Sequence, residues 1–129
     1  MVTYVDSSVA LARLLREPRV PPVGFWDAEL VSSRLLEYEI WNRIYAYRLV
    51  EARGDQARTL LAGVGLTEMS ETVLARALQP FPVQVRTLDA LHLATADFLR
   101  EQGAALQFAS YDNRLLATAG ALGIAVLAL

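Results

Sequence analysis

The sequence has 129 residues, with 12 basic and 14 acidic side chains, a net charge of −2 and no cysteine. This length suits a single domain over residues 1–129 with a core that needs no disulfide staples. The missing cysteine excludes a disulfide framework and any thiolate metal site, and the near-neutral balance excludes the basic field of a protein that coats DNA.

The first predicted element is the β-rich run Val2–Val5, which stops at Asp6. Asp6-Ser7-Ser8 offers helix-capping chemistry before the apolar-periodic stretch Val9–Leu15, and Pro18, Pro21 and Pro22 close that helix. Glu29-Leu30-Val31 reads as a short strand, after which Ser32 or Ser33 caps a long helix reaching about Ala52. Gly54-Asp55 is expected to break it before another helix to about Val64. Leu66–Met69 reads as a brief strand, and Ser70 with Glu71 opens a helix ending near Pro80. Thr87 is expected to cap the helix through Leu88–Leu93 to about Gln102, with Gly103 as its stop. Leu106–Ala109 is a buried-looking strand, followed by Ser110-Tyr111-Asp112, a helix ending at Gly120 or Gly123, and a last strand over Ile124–Leu127.

Alternating short strands and helices predict a three-layer α/β/α sandwich around a mostly parallel sheet of four to five strands. Ligands in such folds bind at the carboxyl ends of the strands. Asp6 and Asp112 both stand just beyond the carboxyl ends of predicted strands.

The apolar share is 54%, with positive mean hydropathy. Yet the longest uncharged stretch, Leu115–Leu129, spans 15 residues and contains two glycines, whereas a membrane-spanning helix needs about 20. No membrane segment is expected. The opening MVTYVDSSVALARLL puts Asp6 where a signal peptide would be apolar, and the lack of cysteine makes a reducing cytoplasm the simplest expected compartment. The apolar excess is assigned to a filled core and a surface covered by a partner or a second copy. All 12 basic residues are arginine, whose planar fork suits phosphate, although solvated helix faces account for most of them.

Four acids stand out. Asp6 and Asp112 follow strands and would ordinarily be helix N-caps, but neighbouring Ser7, Ser8 and Asn113 can cap instead. Glu39, in SRLLEYEIWNRI, shares a helix face with Leu35, Asn42 and Ala46, while Glu37 points elsewhere. A carboxylate beside leucine and alanine is partly shielded and calls for a cation. The bland alternative is an ion pair with Arg43. Asp89 lies in the first turn of an otherwise apolar helix. His92, three residues on, reads as a packing histidine, because a lone imidazole lacks the partners of a histidine metal site. Asp97 is expected to lie outside the site. Hard oxygen ligands without cysteine or clustered histidine suit Mg2+ or Mn2+.

At these residues the sequence resembles the PIN-domain family, in particular its VapC-type toxins of toxin–antitoxin pairs. VTYVDSSVALARLL resembles the family's opening strand, turn and helix, and SRLLEYEIWNRI resembles the segment carrying its glutamate. TLDALHLATA is close to the family's most recognisable stretch, and LQFASYDNRLLATAGALGIAVL matches its closing strand, aspartate, helix and strand. Two departures are minor: Ser110 stands where threonine is frequent, and the frequent terminal proline is absent.

The resemblance implies that Asp6, Glu39, Asp89 and Asp112 form an acidic pocket for one or two divalent ions. It also implies cleavage of RNA phosphodiesters, typically in tRNA or ribosomal RNA, by metal-bound water. Ser8 and Asn42 are expected to orient the carboxylates. Arg13, Arg43 and Arg114 are candidates for gripping RNA, each being near an acid in sequence. A toxin of this type would be homodimeric and silenced by a VapB-like antitoxin. The alternatives are a PIN nuclease of RNA processing without an antitoxin, and a catalytically inactive binding scaffold.

Overall fold

In the computed structural model, which describes residues 1–129, strands and helices alternate along the chain. The strands are β1 (Val2–Val5), β2 (Leu30–Ser33), β3 (Val64–Thr67), β4 (Leu106–Ala109) and β5 (Ala125–Val126). The helices are α1 (Ser7–Leu14), α2 (Leu35–Ala46), α3 (Val50–Ala62), α4 (Glu71–Ala77), α5 (Thr87–Glu101) and α6 (Asn113–Ala121). All five strands pair in parallel, in the order β3-β2-β1-β4-β5. The expected sandwich is thus present, with a sheet that is wholly rather than mostly parallel.

Parallel strands need both faces covered, and side chains two apart share a face. In β1, Val5 joins Val9, Leu11 and Leu14 of α1, Leu36, Ile40 and Ile44 of α2, and Ala57 of α3 in one core. Its neighbour Tyr4 faces the other layer, with Phe108 of β4, Leu93 and Ala96 of α5, and Leu115 and Ala119 of α6. Tyr4 and Phe108 stack with ring centroids 5.0 Å apart.

From β1 the chain steps outward through β2 to β3, then crosses to the other side of β1 for β4 and β5. That reversal opens a crevice at the carboxyl ends of β1 and β4, the usual ligand position in an open α/β sheet. The register places Val5 opposite Ala109, so Asp6 and Ser110, one residue beyond, emerge side by side.

Several boundaries differ from the sequence reading. The helix expected to run to Ala52 stops at Ala46, because Arg48 adopts a left-handed conformation (φ 55°). The amides of Arg48 and Leu49 then donate to the carbonyls of Tyr45 and Ile44 at 3.1 and 2.8 Å. Such paired bonds satisfy the orphan carbonyls of a helix end. Gly54 breaks nothing: it lies buried inside α3. Arg16 (φ 54°) closes α1 in the same left-handed way before Pro18. Thr87 is the first residue of α5 rather than its cap, and the cap position belongs to Arg86, whose side chain makes no capping bond. Ser33 ends β2 and its hydroxyl accepts from the Leu35 amide at 3.0 Å, whereas the Ser32 hydroxyl donates to the Val5 carbonyl. Gly103 (φ 98°) ends α5 as expected.

Candidate active site

Asp6 is the most enclosed of the four acids, with 5% exposure. Its Oδ2 accepts hydroxyls from Ser8 at 2.7 Å and Ser110 at 2.8 Å, and the Ser8 amide at 3.4 Å. Asp6 is therefore itself the N-cap of α1; Ser8 supports it instead of replacing it. Oδ1 accepts no hydrogen bond and is not sealed from solvent, so it faces the crevice free. The Ser8 hydroxyl also accepts the Tyr111 amide at 2.9 Å, and the Ser110 hydroxyl accepts the Asp112 amide at 2.9 Å. The carboxylate after β1 and the turn after β4 are thus joined through two serines.

Glu39 projects from α2 toward α5. Its Oε1 meets His92 Nε2 at 2.5 Å, and its Oε2 accepts the Ser7 hydroxyl at 3.1 Å. A carboxylate only accepts, so Nε2 carries a proton. His92 Nδ1 meets the Tyr4 hydroxyl at 2.7 Å, and in the neutral ring it accepts from it. Histidine and tyrosine are both fully buried. Burial opposes charge on His92, but Glu39, Asp6 and Asp89 outweigh it and raise the imidazole above its ordinary value of 6.5. Burial drives the Tyr4 phenol strongly upward, so it stays protonated. His92 is a satisfied interior histidine, as its solitude suggested, and its partner is the site glutamate. Arg43, the expected ion-pair partner of Glu39, is exposed and does not reach it.

Asp89 and Asp112 form the open side, their side chains 23% and 30% exposed. Asp112 caps α6: its Oδ1 accepts the amides of Arg114 and Leu115 at 2.9 and 3.2 Å. Oδ2 is left toward the Arg86 guanidinium, 3.7 Å away, and the same guanidinium lies 3.5 Å from Asp89 Oδ2. The Asp89 carboxyl is raised above the ordinary aspartate range by burial, with Arg86 opposing and the charges of Asp6 and Asp112 adding. Asp89 therefore feels the charge of both other aspartates.

The remaining expected residues divide. Ser8 binds Asp6, and Arg114 lines a small cavity with Arg86, Asp89 and Asp112. Asn42 is exposed and sits in a surface hollow with Glu37, Tyr38 and Trp41, orienting none of the four acids. Arg13 lies over the Trp26 ring at 4.8 Å, in a hollow with Leu30 and Gly63 at the amino ends of β2 and β3, opposite the crevice. Asp97 pairs with Arg76 and Arg100, apart from the site. Sequence reasoning missed the site contacts of Arg86, Ser110, Ser7 and Tyr4. Arg86 had a signal in its place three residues before Asp89, and Ser110 in its place two before Asp112.

All four acids offer hard oxygen donors of the kind Mg2+ and Mn2+ take. As they stand, no three His, Asp or Glu side chains are grouped closely enough to grip an ion. Asp6 Oδ1, Asp112 Oδ2 and the Asp89 carboxylate are nevertheless unclaimed except by the loosely placed Arg86. Their shared repulsion is what a divalent cation relieves. In donor chemistry these three suit such an ion, although they are not drawn together around one; Glu39 is the least free of the four.

A family model described as the PIN domain matches residues 3–121. Ribonuclease VapC46 of Mycobacterium tuberculosis (strain ATCC 25618 / H37Rv) is 34% identical over 129 residues, covering 97% of this chain and 95% of the relative. Ribonuclease VapC47 of Mycobacterium tuberculosis (strain CDC 1551 / Oshkosh) is 30% identical over 119 residues, covering 88% and 86%. In solved structures, a toxin–antitoxin complex from Klebsiella pneumoniae contains a similar chain, with a TM-score of 0.62 at 15% identity and coverage of 98% and 96%. That likeness bears on the fold alone. With its aspartates at the sheet's switch point and a family match over most of its length, the chain belongs to the PIN-domain family, in its VapC-type branch.

Proposed function

We propose that this protein is a Mg2+- or Mn2+-dependent endoribonuclease, the toxin of a toxin–antitoxin pair. The observation that carries the reading is the convergence of Asp6, Asp89 and Asp112 from three separate elements, each keeping a carboxylate oxygen that accepts no hydrogen bond, in a chain similar to ribonucleases. In this reading those three aspartates hold the ion, with Glu39 completing the acidic set. When bound, the ion supplies activation of water and neutralisation of charge on the phosphodiester.

The chain's own residues do the rest. Ser8 and Ser110 fix Asp6 through one oxygen, so that its other oxygen keeps a constant direction. His92 and Ser7 hold Glu39 through both of its oxygens and so fix the whole carboxylate. Asp112 points into the crevice because its other oxygen is committed to the α6 amides. Arg114 provides positive charge at the rim for the RNA backbone.

The partners follow from the same reading: RNA of the tRNA or ribosomal class as substrate, a VapB-like antitoxin, and a second copy in a homodimer, in the cytoplasm. Leu74, Leu78, Val83 and Leu88 are 43–87% exposed around α4 and the start of α5, an apolar surface that an antitoxin or second copy would cover. No helix is long and apolar enough to cross a membrane.

Asp6→Ala and Asp89→Ala should each abolish Mg2+-dependent cleavage of RNA while the circular dichroism spectrum stays native. Undiminished cleavage in both variants would sink the assignment. Growth arrest on expression, relieved by co-expression of a neighbouring small gene, would separate the toxin from an RNA-processing nuclease.

A further inference from the structure

The proposed chemistry leaves Arg86 without a role, although it is the one cation that touches two of the site acids. It meets Asp89 of α5 and Asp112 of α6 at 3.5 and 3.7 Å, beyond hydrogen-bond length for both. Its side chain is 77% exposed and makes no capping bond to its own helix. Nothing else in the structure holds it there, and exposed pairs of this kind are weak. The guanidinium sits where the negative charges of two helix starts meet, which is also where a divalent cation would be drawn.

Beside it lies a cavity of about 150 Å3, bounded by Val83–Arg86 on one side and by Arg114, Leu115 and Thr118 of α6 on the other. That is roughly the volume of five water molecules, enough for a phosphate group. Arg86 and Arg114 both line it, and a planar guanidinium grips two phosphate oxygens at once.

Resting on the nuclease reading above, we propose that Arg86 occupies the cation position between Asp89 and Asp112 in the metal-free protein. When a divalent ion displaces it, Arg86 turns to the adjoining cavity and binds a phosphate of the RNA next to the scissile bond. The same side chain thus competes with the metal and recruits the substrate. Its removal acts in opposite directions on the two ligands.

The test uses Arg86→Ala, with Arg114→Ala as the control that touches no site carboxylate through its side chain. In calorimetric titration of the metal-free protein with Mn2+, Arg86→Ala should bind about two- to fivefold more tightly, and Arg114→Ala as the parent does. Binding of a short single-stranded RNA is read by anisotropy with Ca2+ in place of Mg2+. Both variants should bind more weakly, and the slope of log affinity against log salt should be shallower by about 0.7 in each, the share of one lost phosphate contact. Unchanged or weaker Mn2+ affinity in Arg86→Ala, or unchanged RNA affinity, overturns the proposal. A parent protein with no Mn2+ binding that Asp89→Asn removes would overturn the nuclease reading itself, and this one with it.

Discussion

On one side of the crevice Glu39 is gripped by His92 and Ser7 at 2.5 and 3.1 Å, with fully buried Tyr4 behind them. On the other, Asp89 and Asp112 face a mostly exposed arginine at 3.5 and 3.7 Å. Both arrangements set negative charge against positive, but in different surroundings. In the dry interior a short hydrogen bond is strong and its loss strands a polar group. At the rim, water competes for both partners and the contact is easily exchanged. The buried side is suited to fixing a position, and the open side to changing partners.

Replacing the buried member should have the largest effect. His92→Leu keeps the volume but leaves Glu39 and Tyr4 facing a hydrocarbon. It should cost about 3–5 kcal/mol in urea denaturation, the scale of a broken buried pair. Tyr4→Phe, which removes only the hydroxyl, should cost about 1–3 kcal/mol. A loss for His92→Leu no larger than that of a surface change would show that both sides are equally loose. The gap has a pH signature. Because the folded imidazole is raised, its contribution is complete below the ordinary value of 6.5 and fades as pH climbs through the folded value. Parent and variant should therefore draw closer at alkaline pH.

The open side should respond weakly and with the opposite sign. The Asp89 carboxyl is raised by burial, so its favourable contribution is present below the ordinary aspartate value and lost as pH rises through the folded one. Asp89→Asn in metal-free protein should then melt slightly above the parent at neutral pH, with the advantage vanishing in acid. A lower melting temperature at neutral pH would mean that Arg86 binds Asp89 more firmly than its distance indicates. The smallest effect belongs to Arg86→Ala, whose stability should stay within about 0.5 kcal/mol of the parent.

Much of this fold is legible in the chain. Strands announce themselves as short apolar runs, and Gly103 and Gly123 mark helix ends because glycine enters the left-handed region freely (φ 98° and 82°). Two other ends carry arginine in that conformation, at Arg16 and Arg48. No local rule assigns arginine there, which is why the break after Ala46 was invisible and Gly54 drew the expectation instead. For Asp6 and Asp112 the choice between cap and site residue is a false one, because each caps its helix through one oxygen and leaves the other without a hydrogen bond. The pairing of Glu39 with His92 spans 53 positions and depends on how α2 and α5 face each other. Spacing within one helix cannot report it.

The four residues of β1 send Tyr4 to one core and Val5 to the other, and deliver Asp6 to the crevice. A strand alternates strictly, so a slip of one residue would send each of these to the opposite layer at once. This is the least editable stretch of the molecule: inserting or deleting a single residue here would exchange the interiors of both layers as well as misplace the acid. Length changes have somewhere else to go, in the loops between α1 and β2 and between α4 and α5, where the chain is exposed and proline-rich. The chain can therefore vary in length at these loops while Asp6 keeps its place at the end of β1.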